Sequence, residues 1–358
     1  MNNGVMNVKE TRIGIIGATG YVGVELVRIL SMHPYVRITH LVSQSFIGKT
    51  FSQVYPSFRG ICDVPLSGAG PEELAAECDL VITALPHGVS SQVVPVLLAN
   101  GVKVIDHSGD FRFKSVTDYE AAYGLTHPCP ELLAKAVYGL PELYRESLPD
   151  AVLASNPGCY PTCTILGLAP LLSGKIVQTQ GIVVDAVSGI SGAGRKADLA
   201  YAYCENDGNF KAYGITSHRH TPEIEQELSV LSHEKITITF TPHLAPMKRG
   251  MLATIYADLK PEYLDEPEED LHALYMDYYK NDPFVRVLPL HTAPETKFVC
   301  FSNYVDISVF KDARTGKVKI ISALDNLGKG ASSQAVQTMN VMQGYPEGTG
   351  LIHMCGCL

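Results

Sequence analysis

The first half of the chain alternates short apolar runs with amphipathic stretches of helical spacing. Four apolar runs predict strands: Arg12–Ile16, Arg37–Val42, Leu80–Ala84 and Lys103–Asp106. Helical periodicity is found beside them at about 21–32, 71–76 and 90–100. Strands that alternate with helices are typical of a doubly wound parallel sheet. The sequence therefore predicts an α/β protein whose first domain is of the Rossmann type.

The pattern changes from about Cys159 onwards, where longer β-branched runs appear. These runs favour an α+β domain with a mostly antiparallel sheet: 181–188, 235–241, 251–259, 303–310 and 318–324. Helices are predicted at about 222–231 and 270–281. The stretch 325–344 is again helical, and we expect it to return to the first domain. We therefore assign 1–156 and 325–358 to the first domain and 157–324 to the second.

The length of 358 residues favours about two domains. A net charge of −9 without a Lys/Arg block argues against a nucleic-acid partner. The first ten residues are polar and lack the apolar core of a signal peptide, and no apolar run approaches the length of a membrane span, so we expect neither element. Nine scattered cysteines indicate a reducing compartment, so we expect a cytoplasmic protein. Cys355 and Cys357 form an isolated pair that we do not interpret as a metal site.

A glycine-rich loop separates the first predicted strand from the first helix. Gly17, Gly20 and Gly23 would permit a tight turn and close approach of the backbone to a pyrophosphate. The loop also contains Thr19, Tyr21 and Val22. The second strand ends in Ser43, where an NAD enzyme usually has an acidic residue nearby. With hydroxyls, an amide and a lysine in that region, the sequence favours NADP(H) over NAD as cofactor.

Cys159 lies in the run 154–162, between a strand end and a stretch in which Pro161 suits the first turn of a helix. A thiol at a helix N-terminus has a lowered pKa and an accessible thiolate. The alternative is a small buried structural thiol, which is the usual state of a free cysteine.

A second unusual run, 216–225, contains His218 and His220. If this run is extended, both side chains project from one face. They could act as a general base, as two anion contacts, as an H-x-H metal pair without an evident third ligand, or as solvated histidines. Thr221 is predicted as the N-cap of the following helix, and Glu223 would complement the helix dipole.

Four arginines lie in glycine-rich or polar turns: Arg112, Arg195, Arg219 and Arg249. Guanidinium groups bind phosphate and carboxylate through two parallel hydrogen bonds, so the group favours a small dianionic substrate. Each arginine alone could equally form a surface ion pair. A nicotinamide cofactor, a thiolate and a histidine together are suited to reduction through an acyl-enzyme.

Seven runs together make the chain resemble the N-acetyl-γ-glutamyl-phosphate reductases from residue 14 to beyond 330. They are 17–23, 84–88, 156–162, 187–195, 218–224, 241–247 and 325–331. The resemblance departs at His107 and Gly109, where an apolar residue and an alanine are expected.

The resemblance implies a step of arginine biosynthesis, in which N-acetylglutamyl 5-phosphate is reduced by NADPH to N-acetylglutamate 5-semialdehyde and phosphate. Cys159 would attack the acyl phosphate, and His220 would be the acid/base, with His218 and Glu223 close by. The backbone N–H of Cys159 would stabilise the oxyanion with help from Asn156. Further implied contacts are Arg112, Ser188 and Arg219 for substrate, and Pro86 and Asn326 for cofactor.

The resemblance also implies a homodimer or homotetramer, with an NADP-binding first domain and a catalytic, oligomerising second domain. The nearest alternative is a sister reductase that acts on aspartyl phosphate or on a carrier-bound aminoadipyl phosphate. An alternative of another class is a dinucleotide-sensing regulator that has lost turnover, although both Cys159 and His220 are present in this chain.

Overall fold

The first sheet is entirely parallel. The computed structural model describes residues 10–352, and strands β1–β7 of this sheet lie in the order β3-β2-β1-β4-β5-β7-β6. Their bounds are Thr11–Ile16, Val36–Val42, Leu66–Ser67, Leu80–Thr83, Lys103–Asp106, Val137–Tyr138 and Leu153–Ser155. Helices α1–α6 span Tyr21–Leu30, Phe51–Val54, Pro71–Glu77, Ser90–Ala99, Val116–Tyr123 and Pro141–Tyr144.

The second sheet is mixed and mostly antiparallel. Its strands β8–β14 lie in the order β12-β13-β14-β11-β8-β10-β9. Their bounds are Ile182–Gly189, Lys211–Ala212, Ile238–Ala245, Met251–Asp258, Val285–Val287, Val305–Asp312 and Lys317–Leu324. Helices α7–α11 span Cys159–Ser173, Tyr203–Asn206, His220–Ser232, Glu268–Tyr278 and Ser333–Met342. The predicted fold class is thereby confirmed.

Helices cover both faces of the first sheet, as parallel sheets require. One apolar core contains Leu26 of α1 and Met339 of α11, so the last helix packs on the same face as the first. The other core contains Leu74 of α3 and Leu97 of α4. Helix α11, although distant in the sequence, therefore completes the helix layer beside the glycine-rich loop.

Helix α7 is buried along almost its whole length, from Tyr160 to Leu172. A Cβ on Gly167 would lie 2.8 Å from Ile255 of β11, so the absence of a side chain there lets the helix approach the second sheet closely. The residue before α7 follows the end of β7 in the first sheet. The helix therefore starts at the junction of the two sheets and fixes the position of its first residue.

The predicted helix at 325–344 is interrupted near its start. Residues Gly328–Ser332 form a π-helical turn, and regular α-helix begins only at Ser333. Asp325 Oδ1 accepts from the N–H groups of Leu327 and Gly328, which holds the chain in a turn. A Cβ on Gly328 would lie 2.5 Å from the carbonyl oxygen of Ser302, so the backbone passes very close to its neighbour.

No helix within residues 10–352 is both long and apolar enough to span a bilayer. The pair Cys355 and Cys357 lies outside the described residues.

Candidate active site

The glycine-rich loop packs so tightly that side chains could not be accommodated at two of its glycines. Gly17 has a φ of +85°, and a Cβ there would lie 2.3 Å from the carbonyl oxygen of Ala84 on the neighbouring strand. A Cβ on Gly23 would lie 2.4 Å from the carbonyl oxygen of Gly17. The turn therefore brings bare backbone to the N-terminus of α1, the arrangement that accommodates a pyrophosphate.

A groove of about 890 Å³ runs over this loop at the carboxyl ends of β1, β2 and β4. Eight of the predicted cofactor residues line it: Gly17, Thr19, Gly20, Tyr21, Val22, Gly23, Ser43 and Pro86. Its other wall is the loop 192–196 from the second domain. Among the described residues that line the groove none is acidic, while Arg195 and Lys196 are basic. The shape and charge fit a dinucleotide.

Asn326 does not line this groove. Its Oδ1 accepts from the N–H of Gly250 at 2.9 Å, and its Nδ2 donates to Ser191 Oγ at 2.9 Å. The amide thus supports the loop that forms the second wall. The expected contact of Asn326 with the nicotinamide stays a prediction.

Cys159 is the first residue of α7 and is half-buried. Desolvation by the surrounding protein raises the pKa of its thiol to about 11, against the opposing effects of the Tyr160 N–H and the Arg112 guanidinium. The sequence predicted a lowered pKa from the helix dipole alone. The direction is reversed because the helix start is enclosed at the junction of the two sheets. The thiol therefore needs a base to become nucleophilic.

His220 lies directly over the turn that precedes Cys159. A Cβ on Gly158 would be 2.5 Å from His220 Nε2, so the imidazole occupies the space above this glycine. Desolvation, followed by the charges of His218, Arg112 and Arg219, holds the pKa of His220 well below its usual value. Its buried Nδ1 has no hydrogen-bond partner in the described part of the chain. The ring is neutral at physiological pH and can accept a proton.

The start of α9 differs from the prediction. The helix begins at His220 rather than after Thr221, and Arg219 is the N-cap residue without a side-chain cap. His218 supplies the missing acceptors, because its Nδ1 accepts from the N–H of His220 at 3.1 Å and its carbonyl oxygen accepts from the N–H of Thr221 at 3.0 Å. Thr221 is therefore not needed as the cap.

His218 is enclosed by aromatic rings. Its ring centroid lies 5.5 Å from that of Tyr160, 5.4 Å from Tyr213 and 5.4 Å from Phe240. Desolvation lowers the pKa of His218 to about 4. The segment before it is bent rather than extended, with a φ of +60° at Thr216. The neutral His218 positions His220, whose ring centroid is 4.9 Å away.

Within residues 10–352, no group of three or more His, Cys, Asp or Glu side chains is arranged to hold a metal ion.

Glu223 joins the two helix starts. The fully buried carboxylate accepts from the N–H of Gly158 at 2.9 Å and from the hydroxyl of Tyr138 at 2.8 Å. Its other oxygen is 3.0 Å from Arg112 Nη1. Because Glu223 lies one turn after His220, this carboxylate connects the histidine helix to the turn of the cysteine.

Arg112 directs all three guanidinium nitrogens at protein atoms. Besides Glu223, it donates from Nε to the carbonyl oxygen of Asn156 and from Nη2 to that of His107, both at 2.9 Å. Only 5% of Arg112 is exposed. Arg112 thereby holds the strand ends beside Cys159, and the substrate contact expected from the sequence stays a prediction.

The remaining predicted substrate residues differ in whether their polar groups are free to bind a ligand. Asn156 donates from Nδ2 to His107 Nδ1 and to the carbonyl oxygen of Ala331, both at 3.1 Å, so both of its N–H groups have partners. Ser188 is buried and donates to the carbonyl oxygen of Gly189. Arg219 is exposed, and in the described range its guanidinium has neither a hydrogen bond nor an ion pair. Arg219 is the predicted substrate residue most free to bind an anion.

Sequence reasoning did not assign three residues that the structure brings to the site. Tyr138 gave no sequence signal, because a tyrosine in a short strand has no motif around it. His107 was visible only as a departure from the family pattern, and it lines the inner part of the groove. Arg195 was recognised as an arginine in a glycine-rich turn, but the structure places it in the cofactor groove rather than beside Cys159.

Two family models cover most of the chain. One, described as "Semialdehyde dehydrogenase, NAD binding domain", matches residues 12–151, and the other, "Semialdehyde dehydrogenase, dimerisation domain", matches residues 159–326. N-acetyl-gamma-glutamyl-phosphate reductase of Acetivibrio thermocellus is 53% identical over 339 residues, which is 95% of this chain and 97% of that protein. The chain belongs to the N-acetyl-gamma-glutamyl-phosphate reductase family.

Other relatives of this reductase family agree with the assignment. The enzyme of the same name from Geobacter sulfurreducens is 51% identical over 341 residues, covering 95% of this chain and 97% of its own. Among solved structures, aspartate semialdehyde dehydrogenase II from Vibrio cholerae aligns with a TM-score of 0.71 at 18% identity, over 93% of this chain and 98% of its own. At that identity the likeness shows the shared fold. The reductase family thus has the semialdehyde dehydrogenase architecture and an NAD(P)-binding domain.

Proposed function

We propose that this chain reduces N-acetylglutamyl 5-phosphate to N-acetylglutamate 5-semialdehyde and phosphate, with NADPH as reductant and a thioester on Cys159, in arginine biosynthesis. The observation that carries the proposal is the meeting of two half-buried helix starts. Cys159 begins α7, and His220, which begins α9, lies over the intervening Gly158. His107, which lines the groove suited to a dinucleotide, is hydrogen-bonded to Asn156 just before this turn.

The first step is activation of the thiol. At neutral pH the Cys159 thiol, with a pKa of about 11, holds its proton, while the neutral His220 can accept one. Proton transfer to the imidazole during attack produces the nucleophile only when the substrate is present. The sulphur then forms a bond to the acyl carbon, the carbon–oxygen bond to phosphate breaks, and phosphate leaves.

The developing oxyanion would be stabilised by the N-terminus of α7. The N–H groups of Cys159 and Tyr160 are at the positive end of this helix, whereas both N–H groups of Asn156 are already bonded. We propose that Arg219, whose guanidinium is exposed beside His220, binds the carboxylate of the substrate. Ser188 would be a further contact from the buried end of β8.

NADPH supplies a hydride to the thioester carbon when it is bound. The chain's own residues complete the step: the N-terminus of α7 stabilises the resulting thiohemiacetal oxyanion, and its collapse releases the aldehyde and the Cys159 thiolate. His220 then returns the proton to sulphur. Preference for NADPH over NADH is supported by the groove, whose described lining is free of acidic residues and includes two basic ones.

The substrate assignment is tested by steady-state assay in the oxidative direction with phosphate. N-acetylglutamate 5-semialdehyde should be oxidised with a kcat/KM at least about a hundredfold above that of aspartate semialdehyde, because each wrongly matched polar group costs a tenfold factor or more. Each aldehyde is assayed with NADP and with NAD. A preference for aspartate semialdehyde would identify the sister reductase instead. Absence of turnover with tight NADPH binding would favour the regulator.

We further propose that the chain forms a homodimer or a homotetramer in the cytoplasm, a reducing compartment that suits a free thiol nucleophile. The matched family model of the second domain is described as a dimerisation domain. Large apolar side chains are exposed in one stretch of that domain, at Leu199, Tyr203, Phe210 and Ile215. Light scattering coupled to size-exclusion chromatography distinguishes these states from a monomer.

A further inference from the structure

One arginine of the second domain reaches across to the first. Arg195 follows β8 in the chain, yet its Nη1 donates to the carbonyl oxygen of Thr19 at 3.0 Å and to the hydroxyl of Tyr55 at 2.6 Å. The Tyr55 hydroxyl itself donates to the same Thr19 oxygen at 2.7 Å. Arg195 is therefore held against the glycine-rich loop, at the wall of the groove.

Arg195 lies next to the end of β2. The hydroxyl of Thr19 is 2.7 Å from that of Ser43, the residue that follows this strand. Two cations lie near the ring of Phe46, with the Arg195 guanidinium 5.6 Å and the Lys49 ammonium 5.8 Å from its centroid. In a dinucleotide-binding domain, the end of this strand is where the adenosine ribose is recognised.

The charge of the groove at the end of β2 suits a phosphate on the adenosine ribose rather than a free ribose hydroxyl. Ser43, Gln44 and Ser45 line the groove there with hydroxyl and amide groups, and the described lining of the groove contains no carboxylate. Arg195 makes its protein hydrogen bonds through Nη1 alone, and within residues 10–352 its Nε and Nη2 have no hydrogen-bond partner. A guanidinium with two free nitrogens can bind a phosphate through two parallel hydrogen bonds.

We propose that Arg195 binds the 2′-phosphate of the cofactor, so that a residue of the second domain determines the choice of NADPH over NADH. This inference rests on the proposed function, which takes NADPH as the reductant. It assigns a supporting role to Lys49, whose ammonium is also near Phe46. It also makes the tight binding of cofactor dependent on contact between the two domains, because the selective group comes from outside the dinucleotide-binding domain.

The experiment compares ligands that differ by the 2′-phosphate in the absence of substrate. Dissociation constants of NADPH, NADH, adenosine 2′,5′-bisphosphate and AMP are measured by isothermal calorimetry with the full chain and with Arg195→Gln. We expect the two 2′-phosphorylated ligands to weaken about tenfold or more, as for loss of a charged hydrogen bond, and the other two to change less than about twofold. Arg195→Lys should restore part of the loss.

A matched control is Arg59→Gln, which removes an exposed arginine near Tyr55 without touching the groove. Equal weakening of NADPH and NADH by Arg195→Gln would assign Arg195 to the pyrophosphate or to the loop and overturn the inference. Unchanged binding of all four ligands would also overturn it. Equal affinity of the unaltered protein for NADPH and NADH would instead overturn the cofactor choice of the proposed function, and this inference with it.

Discussion

The thiol of Cys159 is protonated in the resting protein, and its reactivity depends on a neighbour. Replacing the sulphur by oxygen in Cys159→Ser removes the polarisable nucleophile and the good leaving group that the thiohemiacetal needs. We expect kcat to fall by about a thousandfold or more, while NADPH binds within about twofold of the unaltered protein. Steady-state assay and calorimetry measure the two properties.

The matched control for this substitution is Cys204→Ser, because Cys204 is an exposed free thiol away from the helix start. It should retain full turnover. Substantial activity in Cys159→Ser would exclude the covalent mechanism.

Glu223 and Arg112 form a buried ion pair that positions other groups. Glu223→Gln keeps an acceptor for the N–H of Gly158 but leaves the Arg112 cation without its anion. Breaking a buried pair costs about 3 kcal/mol or more of unfolding free energy. Because the relation between the two helix starts is loosened, we expect kcat to fall more than KM rises. Urea unfolding and steady-state kinetics check both effects.

Asp277→Asn is the comparison for this pair. Asp277 and Lys280 form an exposed ion pair at 2.9 Å, and such pairs contribute between zero and about 1 kcal/mol. Unfolding free energy and kcat should both stay near those of the unaltered protein. If Glu223→Gln behaves in the same way, Glu223 does not position the site.

At the scale of single residues, the sequence predicted the chemical groups but not their connections. Cys159 and His220 could be proposed as nucleophile and base because each lies in a short run with a local signal, and the structure places them on either side of Gly158. Glu223 and Arg112 are 111 positions apart, and only the packing of α9 against the strand ends brings them together. The raised pKa of the thiol likewise comes from enclosure by distant segments, which no local pattern contains.

The starts of α7 and α9 can lie close together because the residue between them, Gly158, has no side chain. In Gly158→Ala the new Cβ would lie 2.5 Å from His220 Nε2, so the imidazole would have to move. The cost at a helix N-cap is about 1 kcal/mol or less, and the fold should persist. We expect kcat to fall by about a hundredfold through loss of the base, with NADPH affinity unchanged.

A double-mutant cycle tests this prediction. In a His220→Asn background, Gly158→Ala should lower kcat little further, because the base is already absent. Independent, additive losses would mean that the glycine acts on something other than His220.

Element by element, the sequence predicted best where periodicity extends over several residues. The strand at Lys103–Asp106 was predicted with the bounds that the structure has, and α3 and α4 agree within one residue. Strands β3, β6 and β9 were missed because each has only two residues, too few for an alternating pattern. The π-helical turn before α11 was also missed, because it depends on the approach of Ser302 and on Asp325, not on helical periodicity.

The whole molecule is held together by charges buried between its parts. Lys329 is a fully buried residue of the π-helical turn, and its Nζ is 2.6 Å from Glu142 of α6 and 2.6 Å from Gln337 of α11. Arg249 of the second domain bonds both Glu25 of α1 and the backbone-capping Asp325. The contacts of Arg249 with Glu25 and of Arg195 with Thr19 both join the second domain to the first, so the cofactor would bind between parts that are already in contact.

Assembly of the whole fold also collects four histidines in surroundings that disfavour their charged form. Desolvation lowers the pKa of His87 to about 4, of His107 to about 3 and of His218 to about 4, and that of His220 lies well below 6.5. Between those values and the unfolded value of 6.5, only the unfolded chain binds these protons, so stability falls as the pH drops below about 6.5. We expect urea unfolding to show a loss of up to about 2 kcal/mol for each of these histidines between about pH 7 and pH 5. His218→Gln should make this dependence shallower, whereas the exposed His291→Gln should leave it unchanged. An equal slope in all three proteins would mean that carboxylates elsewhere, and not the enclosed imidazoles, control the acid sensitivity.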